Sequence, residues 1–170
     1  MKMRAIVLMV ALCAASPALY AQEPVVGVKD PESLFKDPDP VLNKNKQAAL
    51  HIQRELLQCG QWDRAGEWLT KAYHQHNPNA ASGLDGVITF FTKVLKVKRI
   101  DKCDKLTTEI VAVMADDNYV TVLTPRKFPD PRTPGKEYYT SWFDTWRFVD
   151  GKADEHWDPA TIAAPPAAGK

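Results

Sequence analysis

The sequence predicts an α+β domain, three N-terminal helices packed on a curved antiparallel sheet that encloses an internal cavity. Two observations carry this. Up to about Val97 the apolar residues recur at helical spacing, and beyond it they become β-branched and alternate. The second half is also punctuated by the turn signals Ala115-Asp116-Asp117-Asn118 and Asp150-Gly151, which separate hairpin-length strands. Helices followed by a run of antiparallel strands pack as two layers, and a bent sheet with helices across its concave side leaves room for a small molecule.

The chain opens with Lys2 and Arg4, an apolar run from Ala5 to Ala15, and a small-residue region ending SPALYAQ. That is the layout of a secretory signal over 1–21, cleaved after Ala21 or Ala18, and too short to span a bilayer. A lipid anchor at Cys13 wants a small residue before the cysteine, and Leu12 stands there. The expectation is an exported protein, periplasmic or secreted, with no stable membrane anchor. About 150 residues then remain, enough for one domain with a real core. Losing Lys2 and Arg4 moves the formal charge of +1 to near −1, which gives no electrostatic case for nucleic acid or anionic membranes. Cys59 and Cys103 are free either to bridge in an oxidising compartment or to stay as buried thiols, and spacing does not choose.

Residues 22–43 carry Pro24, Pro31, Pro38 and Pro40 without periodicity and read as a Pro-rich tether. The folded domain is expected over 44–160. Asn43 or Asn45 caps a first helix through Gln58, with Ala49, Ile52, Gln53 and Leu56 on one stripe, and Cys59-Gly60 ends it. Asp63 caps a second helix, DRAGEWLTKAY, turning Trp68, Leu69 and Ala72 inward. A polar cluster of His74, His76 and Asn77 and a Pro78-Asn79 turn follow. Ser82 then caps a third helix, with Val87, Phe90, Phe91, Val94 and Leu95 on its apolar face. Thr107–Met114 and Tyr119–Pro125 are read as strands, and Pro125 to Pro134 as a stiff loop. Tyr138–Val149 and Lys152–Asp158 form the last hairpin, and 161–170 is a tail with nothing to pack.

Alternation divides the long strand. Tyr138, Thr140, Trp142, Asp144, Trp146 and Phe148 share one face, taken as the inner one. Tyr139, Phe143 and Arg147 share the other, a surface of the kind through which two copies form a homodimer. A two-residue turn at Asp150-Gly151 pairs Thr145 with His156 and turns the histidine outward. A three-residue turn pairs Asp144 with His156 and turns His156 and Asp158 inward. Alternation alone does not choose between them.

The segment YHQHNPNAASGLDGVITFF resembles the Y-x-Q-H-N-P…G…FF stretch of the SnoaL-like proteins, and FDTWRFVDGKADEHWD is similar to their F-D-x-F-R-x-x-x-G-K-x-x-E-H-W-D ending. Those proteins belong to the nuclear transport factor 2-like superfamily, with the polyketide cyclases and ketosteroid isomerase. The resemblance implies a cone of curved antiparallel sheet closed by three helices, with Asp144 and Asp158 lining its cavity, which favours the three-residue turn. Ala153 and Asp154 depart from the apolar pair usual after G-K.

An acid between Trp142 and Trp146 would be desolvated and suited to proton transfer. By analogy with those relatives the expected catalytic residues are Asp158, as the acid/base that removes a proton beside a carbonyl, with His156 and Asp144 supporting it. His76, Asn77, Tyr73, Trp142, Trp146 and Phe90 are expected to bind the substrate, a small apolar or carbonyl-containing molecule. No cofactor is expected. A metal set of His74, His76, His156 and Asp158 would need a geometry that nothing in the sequence fixes. There is no Gly-rich phosphate loop and no nucleophile elbow. The same cavity would equally serve a non-catalytic binding module.

Overall fold

The computed structural model describes residues 23–162, so the segment expected to be a signal, Cys13 and most of the expected tail lie outside the described residues. The helices are α1 (Pro40–His51), which continues as π-helix over Ile52–Gln58, the short α2 (Ala65–Trp68), and α3 (Leu84–Thr89), continued as π-helix over Phe90–Val94. The strands are β1 (Leu69–Gln75), β2 (Ala112–Asp116), β3 (Tyr119–Pro129), β4 (Glu137–Val149) and β5 (Lys152–Trp157). They form one curved, unclosed sheet in the order β1-β5-β4-β3-β2. The fold class is the expected α+β, with one correction. The sheet is mixed, because β1 runs parallel to β5.

The start of α1 is set by Asp39, not by Asn43 or Asn45. Its carboxylate accepts the Val41 and Leu42 amides at 2.8 and 3.0 Å, and Pro40 takes the first helical position. Asn43 instead accepts the Asp37 amide. The stripe Ala49, Ile52, Gln53 and Leu56 is buried as read, and Gly60 ends the helix with φ +63°, where a Cβ would meet the Lys98 carbonyl at 2.6 Å. Cys59 and Cys103 are bridged, tying the end of the π-helix to the long segment before β2. Gln58 holds the same segment by accepting the Thr107 and Thr108 amides. The Pro-rich stretch is not a free tether. It forms a 3-10 turn over Pro31–Phe35, and the Phe35 ring is 0 % exposed in the core.

The largest local departure is the second helix, which stops at Trp68. LTKAYHQ becomes β1, with Leu69 and Tyr73 buried and Ala72 exposed. Local propensity allows either state there, and the open edge of β5 decides it. α3 begins at Leu84 rather than after Ser82, whose hydroxyl accepts the Gln75 amide. On its apolar face Val87 is buried, Phe90 and Phe91 are half-buried, and Val94 and Leu95 are exposed. β2 is shorter than read, and β3 runs on to Pro129. Beyond Leu123 β2 no longer covers β3, so Pro125 and Pro129 lie on an edge where a missing N–H is tolerated.

The last hairpin follows neither register in full. Val149 pairs with Lys152 and Phe148 with Ala153, so the turn has two residues, Asp150 at φ +52° and Gly151 at φ +83°. The register then slips, and Arg147 pairs with Glu155 and Trp146 with His156. Asp154 is the extra residue of a β-bulge. Its carboxylate accepts the Thr70 hydroxyl at 2.7 Å and pairs with Arg147 at 2.5 Å. Ala153 before the bulge and His156 after it both face inward. The histidine is on the face to which the three-residue turn would have sent it, but opposite Trp146 and not Asp144, and by a different device.

Candidate functional site

Inner-face residues of β3, β4 and β5, the end of β1 and the two π-helical segments line a recess of about 520 Å³. Its walls are apolar over most of their area: Ile52, Leu57, Trp62, Val87, Phe90, Phe91, Trp142 and Trp146. Trp62 stacks on Phe91 at 3.8 Å between centroids, which fixes one wall.

Asp144 and His156, each 6 % exposed, stand at its inner end, with His156 Nε2 3.2 Å from Asp144 Oδ1. Trp142 donates its indole N–H to the same Oδ1 at 3.3 Å. On its other side His156 Nδ1 lies 2.8 Å from Gln75 Oε1, and that oxygen also accepts the Asn77 amide at 3.0 Å. A backbone donor on Oε1 makes it an acceptor, so Nδ1 carries the proton. A hydrogen bond between Nε2 and Asp144 Oδ1 would call for a further proton on one of the two. Asp158 completes the group: ligand-capable atoms of Asp144, His156 and Asp158 lie within 4.8 Å of one another. Its Oδ2 accepts from Asn77 Nδ2 at 2.8 Å and its Oδ1 from the Ala160 amide at 2.9 Å. Tyr73 accepts the Trp146 indole N–H at 3.2 Å. Burial pushes its phenol well above the usual range and the charges of Asp144 and Asp158 add to that, so it stays protonated.

Of the residues singled out from sequence, Tyr73, Asn77, Phe90, Trp142, Asp144, Trp146, His156 and Asp158 border the recess. His76 does not. It is exposed, stacked on Trp157 at 5.1 Å, with Nε2 2.8 Å from Glu155 Oε1 on the outer side of the sheet. His74 is exposed too, so the His74-x-His76 pair is not brought to His156 and Asp158. Among the described residues, the group whose atoms could ligate a cation together is Asp144, His156 and Asp158. Sequence reading missed Gln75, Gln53, Thr124 and Arg126 as lining residues. Gln75 follows Tyr73 by two, so reading LTKAYHQ as a strand would have found it.

Comparison with known proteins agrees with this architecture. The model of the SnoaL-like domain matches residues 53–156, more than half of the chain. A nuclear transport factor 2-like protein of unknown function from Burkholderia pseudomallei superposes with a TM-score of 0.51 at 17 % identity, covering 69 % of this chain and 91 % of its own. A SnoaL-like polyketide cyclase candidate from Jannaschia sp. gives 0.50 at 19 % identity, covering 73 % and 91 %. A polyketide cyclase candidate from Acidithiobacillus ferrooxidans gives 0.50 at 18 %, covering 68 % and 86 %. At such identities these structures speak for the fold alone. No curated protein matches the sequence. With the family match over the recess-forming strands and the three-helix, curved-sheet architecture in agreement, the chain belongs to the SnoaL-like domain family.

Proposed function

We propose that the protein binds a small carbonyl-containing molecule in this recess and acts on it by acid/base chemistry without a cofactor, as a cyclase, isomerase or aldol-type enzyme. The observation that carries the reading is the cluster of Asp158, Asp144 and His156 at the end of a mostly apolar recess. Asp158 is the base. Its carboxylate takes the proton from the carbon beside the carbonyl, and the electron pair moves to the carbonyl oxygen. The Tyr73 hydroxyl, which keeps its proton, is the donor available to that oxygen. The enolate carbon is then reprotonated by Asp158, or it attacks a second carbonyl of the same molecule, whose π electrons move to its oxygen and take the proton back from Asp158. Asp144 and His156, with Gln75 fixing the tautomer, hold the mobile proton beside the base.

The test is deuterium incorporation into 2-tetralone, a small apolar ketone, followed by NMR in heavy water. The protein accelerates exchange, Asp158→Asn removes the acceleration by a factor on the order of 10²–10⁴, and Glu155→Gln on the outer face does not. No acceleration by a protein that binds the ketone would leave a non-catalytic binding module. One observation favours that second reading: both Asp158 oxygens already accept hydrogen bonds.

Two further readings belong to the same proposal. Action outside the cytosol is supported by the Cys59–Cys103 bridge. Pairing of two copies through the outer face is supported by the exposed Met114, Tyr119 and Phe143, and light scattering at several concentrations tests it.

A further inference from the structure

Arg54, Arg64, Arg99, Arg132 and Arg147 each have a carboxylate partner. Among the described residues Arg126 has none. It shares the inner face of β3 with Thr124, borders the recess, and lies with its Cζ 5.1 Å from the centre of the Trp142 ring. A cation–π contact of this length holds the guanidinium over the indole while its N–H groups have no carboxylate among the described residues. The same indole donates to Asp144, so Trp142 links an uncommitted cation at the rim to the acid at the inner end.

A second, independent observation points to a ligand. Thr124 Oγ1 and Gln53 Nε2 have no hydrogen-bond partner, although these residues are 4 % and 3 % exposed and both border the recess. Buried polar atoms are rarely left so, and a ligand oxygen would relieve them after a small side-chain rotation. Val122, the register partner of Asp144, and Arg126 are four residues apart on β3, about 13 Å of strand.

We infer that the recess takes an elongated apolar molecule that ends in a carboxylate bound by Arg126 at the rim and carries a further carbonyl oxygen, separate from the one set against Tyr73, met by Thr124 and Gln53. This rests on the reading that the recess holds a small molecule. The charges fix the direction of entry, since the anionic end is drawn to Arg126 and repelled by Asp144 and Asp158.

The experiment uses three probes measured by titration calorimetry: 4-benzoylbenzoate, 4-benzoylbenzamide, and 4-benzylbenzoate, which lacks the ketone oxygen. The first binds on the order of ten- to a hundredfold more tightly than its amide, the size of a charge-assisted hydrogen bond. Arg126→Met abolishes that preference by weakening the acid far more than the amide. Arg126→Lys restores part of it, and Thr124→Val narrows the gap between the ketone and benzyl probes. Equal binding of acid and amide to the native protein, or a preference that survives Arg126→Met, overturns the inference and leaves the recess reading standing. Failure of all three probes to bind sinks both.

Discussion

β5 presents two clusters, each built of one histidine and two carboxylates, on opposite faces of the sheet. The outer one gathers His76, Asp154 and Glu155 around Arg147, with Arg147 Nε 2.9 Å from Glu155 and the His76 ring 2.8 Å from the same residue. Thr70 and Arg147 hold the Asp154 carboxyl below the usual range, and His76 and Arg147 do so for Glu155. The inner cluster has the same composition, Asp144, Asp158 and His156, but among the described residues no arginine or lysine ion-pairs with it. A guanidinium that never gives up its proton makes the outer cluster a fixed clamp on the bulge, whereas the inner cluster sets its acids against an imidazole, a group able to gain or lose a proton. Residue types do not separate the two; counter-charge and burial do.

Removing each histidine is the sharpest way to break that comparison. His156→Ala leaves Asp144 buried without its partner and should cost about 3 kcal/mol, read as a shift of the urea midpoint. His76→Ala on the half-exposed outer side should change stability too little to resolve. Equal effects would mean that the two clusters do the same structural work. A smaller effect comes from the clamp. Asp154→Ala removes the bonds to Thr70 and Arg147 and should cost about 1–2 kcal/mol, with a displaced His156 ring resonance if the bulge is what aims it. The smallest concerns acid. Folded-state carboxyls held below their unfolded values stabilise the protein above about pH 4, and that contribution is lost as pH falls through the folded values. The melting temperature should therefore drop below about pH 4, and Glu155→Gln should flatten the drop. An unchanged slope would show that the outer cluster contributes nothing in solution.

The inner face of β4 was legible from alternation alone, because Trp142, Asp144, Trp146 and Phe148 are held by an unbroken ladder with β3. The inward aim of His156 was reached through a three-residue turn that does not form. Asp150 and Gly151 make the two-residue turn, and Asp154 supplies the extra residue one step later. Nothing in the strand itself marks Asp154 as a bulge, since its carboxylate is held by Arg147 across the hairpin and by Thr70, far away in the chain. β1 was hidden for a similar reason, because its residues suit a helix until a neighbouring strand offers an edge.

Periodicity, turn chemistry and two motifs were enough to determine the α+β class, the last three strands, the aromatic inner face of β4, and the acids and histidine of the candidate site. Those are local properties, written in the side-chain pattern of each segment. What only the tertiary structure decided is which polar groups meet and which are left over: Gln75 against His156, His76 turned out to Glu155, Arg126 without an acid. Pairings of that kind depend on register between strands distant in sequence, where one inserted residue exchanges the two faces of a sheet.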